Sequence, residues 1–309
     1  MNLLEFNQVF PDEASCKQKF REVREREGVV CSRCGSTEYY WKKDKEQFEC
    51  KKCKHRTTLK SGTVMHKSKL PFRYWFIAMH LLSSTKKTFS AKEIQRQIGH
   101  KRYQPIWEML HKIRQSMGKR DDKYNLSGEL ELDDGFFTTV IPEDKKEEKL
   151  KRGRGSQKKS KVLVMAESEE VAIPKKNKKT RRVGYLKMKV IPDLKAETIE
   201  LSVDKNVSDE ASIVSDASTS YNGLKDKVKG HTAKVIHNDE IVKELPWVHI
   251  AISNAKRWIL NMFHSVHPDY LQNYLDEFCY RFNRRYFGNA TFDRLVIACA
   301  TSKNQFRYT

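Results

Sequence analysis

Two groups of residues in this 309-residue sequence have types and spacings that chemistry uses. The first is sulfur: Cys31 and Cys34 are separated by two residues, as are Cys50 and Cys53, with fifteen residues between the pairs. That spacing, with Gly35 permitting a tight turn after the first pair, lets four thiolates close a tetrahedral shell on one ion, and Zn²⁺ is the usual occupant. Four unligated core cysteines or an iron–sulfur centre are the competing readings; His55 is not needed, because four sulfurs already fill the shell. The second group is acidic. In SGELELDDGFFTT, residues 127 to 139, alternation sets Leu130 and Leu132 on one strand face and Glu131 and Asp133 on the other. Asp216 closes a second short strand, ASIVSDAS, 83 positions later. Each acid taken alone reads as a turn or solvent-facing residue. Brought together at strand ends of one sheet, they make an oxygen-ligand site for Mg²⁺ or Mn²⁺. Asn254, 38 positions after Asp216, reads as a helix-start hydrogen bonder or as a neutral amide oxygen for the same hard cation.

The charge balance narrows the partner. A formal charge of +20 and a pI near 9.5 favour a polyanion. With no apolar run of membrane-spanning length, and a start, MNLLEFNQVF, that lacks a basic segment followed by an apolar core, nucleic acid is favoured over a bilayer. Residues 1 to 120 hold 27 Lys and Arg against 12 Asp and Glu, so most of the excess sits in the first two fifths of the chain. Four cysteines in one metal pattern, with Cys16, Cys279 and Cys299 scattered, point to a reducing intracellular compartment and against a disulfide framework.

The elements that must position these residues fall into three segments. Residues 1–62 predict a helix from Asp12 and a small ribbon, with YYW and QFEC as strands that need the metal for want of a core. Lys42, Lys43, Lys45, Lys51, Lys52, Lys54 and Arg56 surround it, as a nucleic-acid face or a merely solvated one. Residues 63–122 predict a buried helix opened by Pro71, then a short helix capped by Ser90 and Glu93 and stopped by Gly99. A second helix follows from Tyr103 to Met117, with Ile106, Leu110, Ile113 and Met117 on one face. Lys101, Arg102 and Gln104 at its head suit a helix-turn-helix major-groove reader; a plain helical bundle gives the same pattern.

Residues 123–309 change texture. The Asp133 strand, KVLVMAESE, GYLKMKVIPD, a helix between Asp204 and Ala211, SIVSD and TAKVIH precede a helical C-terminal set. This predicts an α/β mixed sheet flanked by helices. The segment EDKKEEKLKRGRGSQKKSK, and a hairpin loop with Lys175, Lys176, Lys178, Lys179, Arg181 and Arg182, are suited to salt-sensitive phosphate contact. Ser253 is the predicted cap of a helix with Asn254 in its first turn; Pro268 starts another, leaving Arg281, Arg284 and Arg285 for solvent or DNA.

Taken in order, CSRCG with CKKC, SAKEIQRQIG with WEMLHKIRQSM, ELDDGFF, VSDASTSYNGL, and VHIAISNAKR with YLDEFCYRFNRR make the chain resemble, over nearly its whole length, the zinc-ribbon insertion-sequence transposases with an ISXO-type catalytic domain. These are a branch of the DDE superfamily with an RNase H-like core. The resemblance implies that Asp133 and Asp216 are the first two catalytic acids and that Asn254 holds the third position, where many relatives carry glutamate and some asparagine. It further implies a two-metal mechanism: Asp133 bridges two Mg²⁺ or Mn²⁺ ions, Asp216 and Asn254 hold one each, and strands are cut and transferred with no covalent protein–DNA intermediate. Glu131, on the strand face of Asp133, is a candidate supporting contact. The implied partners are double-stranded DNA, as terminal inverted repeats and as target, and a second copy of the chain in a homodimer or higher oligomer. The implied place is the cytoplasm or nucleoid of a prokaryote-like cell, with no membrane partner. A non-catalytic DNA-binding or regulatory protein derived from a transposase is the alternative, with a structural RNA-binding zinc protein behind it.

Overall fold

The computed structural model of the protein describes residues 1–85, 87–172, 180–235 and 244–306. In chain order the first elements are α1 (Leu3–Val9), α2 (Glu13–Glu27), β1 (Tyr39–Lys42), β2 (Gln47–Cys50), β3 (Arg56–Thr58), α3 (Phe72–Ser84), α4 (Ala91–Ile98) and α5 (Tyr103–Asp121). Then come β4 (Glu129–Thr138), β5 (Lys159–Glu170), β6 (Arg181–Ile191), α6 (Ala196–Asn206), β7 (Ser212–Asp216) and β8 (Gly230–Lys234). The described residues end with α7 (Pro246–Phe263), α8 (Pro268–Asn283) and α9 (Ala290–Thr301). These form two compact units, Met1–Arg120 with Arg284–Thr309, and Asp121–Asn283.

In the first unit, long-range caps lock helices whose own starts are poor. Pro71 offers α3 no side-chain acceptor, and the Glu13 carboxylate instead accepts the Phe72 and Arg73 N–H groups, each at 2.9 Å. Arg24, buried in α2, donates to the carbonyls of Thr58 and Leu59 and lies over the Phe48 ring, which fastens α2 to the three-stranded ribbon. As the sequence predicts, Ser90 caps α4, and Gly99 ends it at φ +72°, a left-handed conformation that favours glycine. Ile106, Leu110, Ile113 and Met117 of α5 are all buried. The C-terminal helix α9 packs on α2 and α3, with Phe292 against Phe6, Phe10 and Phe76, so the last residues complete this unit.

The second unit contains a five-stranded sheet of order β6-β5-β4-β7-β8, with β5 antiparallel to both β6 and β4, and with β4, β7 and β8 parallel. This is the mixed sheet flanked by helices that the sequence predicts, and it is consistent with an RNase H-like core. Strand alternation divides the side chains as expected. Leu130, Leu132 and Ile213 face a core shared with Ile199 and Val203 of α6. Phe137 and the partly buried Val214 face the opposite core, built with Val248, Ala251, Ile252, Ala255 and Ile259 of α7 and Leu271 and Leu275 of α8.

Several boundaries differ from the sequence reading. The helix expected over 204–211 is α6, begun earlier because the Asp193 carboxylate accepts from the Lys195 N–H and the Thr198 hydroxyl; residues 208–211 instead lead into β7. Helix α7 begins at Pro246, so Ser253 is not a cap and Asn254 lies in mid-helix. Arg284 is buried and Arg281 is paired with Glu277 at 3.1 Å, so neither is displayed to solvent as expected. Lys175, Lys176, Lys178 and Lys179 lie outside the described residues; Arg181 and Arg182 belong to β6 and pair with Glu129, Glu170 and Glu169.

Candidate active site and metal centre

The cysteines converge as their spacing predicts. Gly35, at φ +72°, donates its N–H to the Cys31 carbonyl, and Lys54, at φ +60°, does the same to Cys50, so each pair sits on a tight turn with its sulfurs turned inward. The four Sγ atoms lie within 4.8 Å of one another, with Cys31 to Cys53 at 3.5 Å and Cys34 to Cys50 at 3.6 Å. The backbone N–H of Cys53 pulls the Cys50 thiol down, while the sulfurs of Cys53 and Cys50 push the Cys34 thiol up. Four converging sulfurs suit a structural Zn²⁺. His55 is directed elsewhere, its Nε2 lying 3.3 Å from the Ser32 hydroxyl.

The two acids lie on neighbouring strands. The parallel ladder of β4 and β7 pairs Glu131 with Val214 and Leu132 with Ser215. The next residue on each strand is Asp133 and Asp216, so by alternation both side chains leave the sheet on the face that α7 covers, on strands about 4.8 Å apart. One oxygen of each is steadied by backbone: Asp133 Oδ1 accepts from the Asp134 N–H at 2.8 Å, and Asp216 Oδ1 from the Ser218 N–H at 3.2 Å. Tyr221, buried beneath them, has its phenol pushed well above the usual range by burial and then by the nearby charges of Asp134, Asp133 and Asp216. It donates to Asp134 at 3.3 Å, on the other face of β4.

Glu131 explains why α7 starts where it does. Its Oε2 accepts the N–H groups of Trp247 and Val248, at 2.6 and 3.1 Å, in a site where Glu131 is only 6% exposed. A carboxylate at a helix N-terminus meets both the unpaired N–H groups and the positive end of the macrodipole, and each such charge-assisted bond is worth roughly 1.5–3 kcal/mol. Glu131 therefore anchors α7 over β4, two residues from Asp133.

That anchor sets which side chains overlook the acids. His249 Nδ1 lies 3.6 Å from Asp133 Oδ2, and burial holds its imidazole below the usual pKa while the Asp216 charge pushes the other way. Five residues further on, Asn254 is about 140° around the helix from His249. It shares the flank of Trp247, whose Nε1 donates to Ser168 of β5 on the opposite side of β4 from β7. Asn254 is exposed, and its Oδ1 accepts from Arg257 at 3.4 Å. The fold thus sets His249 beside Asp133, with Asp216 on the neighbouring strand, while Asn254 lies on the flank of Trp247. His249 escapes a sequence reading that starts the helix at Ser253; Pro246, a favoured first helical residue, was the available signal. Lys256, on the flank of His249, lies over the Phe137 ring, and its pKa is lowered by burial and by Lys159.

Comparison with known protein families now bears on this geometry. A family model described as the ISXO2-like transposase domain matches residues 125–283, more than half of the chain. The chain belongs to the ISXO2-like transposase family. A second model, the transposase zinc-ribbon domain, matches residues 11–56, which hold α2 and all four cysteines. The matched transposase domain spans β4 to the end of α8 and so contains both acids, Glu131 and His249. No curated protein matches the chain. Around the ribbon, Lys43, Lys45, Lys51, Lys52, Lys54 and Arg56 are exposed; Lys42 and Arg56 pair with Glu49, and Lys51 with Glu38. Lys101, Arg102, Tyr103 and Gln104 are exposed at the head of α5. Among the described residues, no helix is long and apolar enough to cross a membrane.

Proposed function

We propose that this chain is the DNA transposase of an insertion element: it binds terminal inverted repeats through the ribbon and the α4–α5 pair, and it cuts and joins strands at Asp133 and Asp216. The observation that carries this reading is the pair of acids on neighbouring strands of one sheet face, beneath a helix anchored to that sheet, in a chain of this family. Their donor set, carboxylate oxygens steadied by backbone N–H groups, suits Mg²⁺ or Mn²⁺. When bound, such ions polarise phosphoryl oxygens and make a hydroxyl a stronger nucleophile. Lys256, whose ammonium lies over the Phe137 ring and feels the charges of Lys159 and Asp133, would hold a phosphate of the strand being cut. Asn254 as a third ligand rests on the resemblance alone, since its amide oxygen is engaged with Arg257. That amide, where many relatives carry a carboxylate, favours the second reading, a DNA-binding regulator that keeps the fold without the chemistry.

Both readings require duplex recognition, and the catalytic one requires paired ends on at least a dimer in a cell's cytoplasm or nucleoid. The full chain should bind a terminal-repeat duplex in preference to random duplex, with affinity falling on the order of 10³-fold between 50 and 200 mM salt if six or more phosphates are contacted. Replacing Arg102 and Gln104 by Ala should reduce the preference more than the salt slope, and sedimentation should give two or more chains per pair of ends. Equal affinity for both duplexes at every salt concentration would remove α5 from sequence reading.

A further inference from the structure

We propose that a basic groove at one end of the sheet, where β4 and β6 finish and β5 begins, holds the DNA backbone about six nucleotides from the bond cut at Asp133, without reading its sequence. The inference rests on the reading that strands are cut at Asp133 and Asp216. The groove has a volume of about 380 Å³, and its lining sets Lys151, Lys159 and Lys161 against one acid, Glu148. That acid is engaged, its Oε2 accepting from the Gln157 amide at 3.4 Å. The hydroxyls of Thr139, Ser156 and Ser160 complete the polar lining. Ammonium and hydroxyl donors fit phosphate oxygens. The lining holds no aromatic ring on which a base could stack, so it suits the backbone and not the bases.

The fold builds this groove and aligns it with the acids. Gln157 ties back the loop that carries Lys151: its Oε1 accepts the Lys151 N–H and its Nε2 donates to the Lys149 carbonyl, each at 3.0 Å. The Lys159 N–H donates to the Ser156 carbonyl at 3.1 Å, which joins the same loop to the start of β5. Lys161 is held by one of its three ammonium donors, on the Pro192 carbonyl at 3.2 Å. The hydroxyls of Thr139 and Ser160 lie 3.2 Å apart. Thr139 is six residues past Asp133, so alternation returns its side chain to the same sheet face, and the rise of a strand puts it about 20 Å away. Between them Lys256 Nζ lies over the Phe137 ring at 5.7 Å. A span of about 20 Å equals about six base-pair rises, so DNA that leaves the acids along β4 arrives at the groove.

The test uses the full chain and duplexes of the terminal repeat with its flanking DNA, each carrying one neutral methylphosphonate linkage at successive positions on either side of the repeat end. Dissociation constants and melting curves are measured for wild type, for Lys151→Ala with Lys159→Ala, and for Lys151→Arg with Lys159→Arg. In wild type, a neutral linkage about six nucleotides from the cut should weaken binding about fivefold at 0.15 M salt, the loss expected for one phosphate contact. The side of the cut on which it acts tells repeat DNA from flanking DNA. In the double Ala variant the same linkage should have no further effect, and the slope of log affinity against log salt should be shallower by about two. The double Arg variant should keep both properties. A linkage that weakens the folded Ala variant as much as wild type, or an unchanged salt slope, would overturn the groove. Lysine-dependent interference at other positions would overturn its alignment with Asp133. Wild type that shows the expected interference and makes no nick would overturn the cutting role of the acids and leave the groove standing as a DNA contact.

Discussion

Asp133→Asn and Asp216→Asn should each lower metal-dependent cleavage of a terminal-repeat oligonucleotide by at least about 10³-fold, roughly 4 kcal/mol of transition-state stabilisation. Each change removes a negative charge from an oxygen donor set and keeps the side-chain volume. The steadied Oδ1 of either residue, accepting from Asp134 or Ser218, can still be an oxygen in the amide. Melting temperature and duplex affinity should therefore stay close to wild type, because neither acid is an anchor of the fold: that work falls to Glu131. Loss of rate together with loss of folding would leave the acids indistinguishable from Glu131. Unchanged rates in folded protein would mean that the chemistry, if any, lies elsewhere.

The second large effect is expected at the ribbon. Purified protein should carry about one Zn²⁺ per chain, and Cys50→Ser should remove it, because the four sulfurs form one shell and lose tetrahedral closure together. The strands β1 to β3 are three or four residues long, and Phe48 is the one buried aromatic of β2. Metal binding is therefore a large part of their folding free energy; in zinc peptides of this kind it amounts to on the order of 10 kcal/mol. Chelation should melt the ribbon while the sheet of the second unit persists. Because Arg24 ties α2 to Thr58 and Leu59, the stability of α2 should fall as well. Elemental analysis and circular dichroism with and without chelator read both outcomes. Zinc content that is unchanged in Cys50→Ser would contradict the assignment of that ligand.

Local chemistry made much of this legible in the sequence. A two-residue gap between thiols, a serine before an apolar run, a glycine at a left-handed position and an alternating strand each act within a few residues, so the ribbon, α4 and the β4 strand follow from the sequence. Convergence of Asp133 with Asp216 follows too, once the family resemblance supplies the strand order. What stayed hidden depends on partners far away in the chain. The start of α7 is set by Glu131, 116 positions before Trp247, and nothing near Pro246 announces that acceptor. An error of eight residues in that boundary, from the expected cap Ser253 to the observed Leu245, hides the flank of His249 and gives Asn254 a first-turn role it does not have. The return of α9 to the first unit is likewise a matter of which apolar surface covers Phe292, and helical periodicity carries no record of that.

The most direct test of the central claim is the wild-type chain itself on a duplex ending in the element's terminal repeat, with Mg²⁺, with Mn²⁺ and with chelator. A metal-dependent nick that exposes a 3′-OH at the repeat end, followed by joining of that end to target DNA, is the predicted result. Folded, zinc-loaded protein that binds the repeat and yields neither product with either ion would contradict it, and would make this chain a DNA-binding descendant of a transposase.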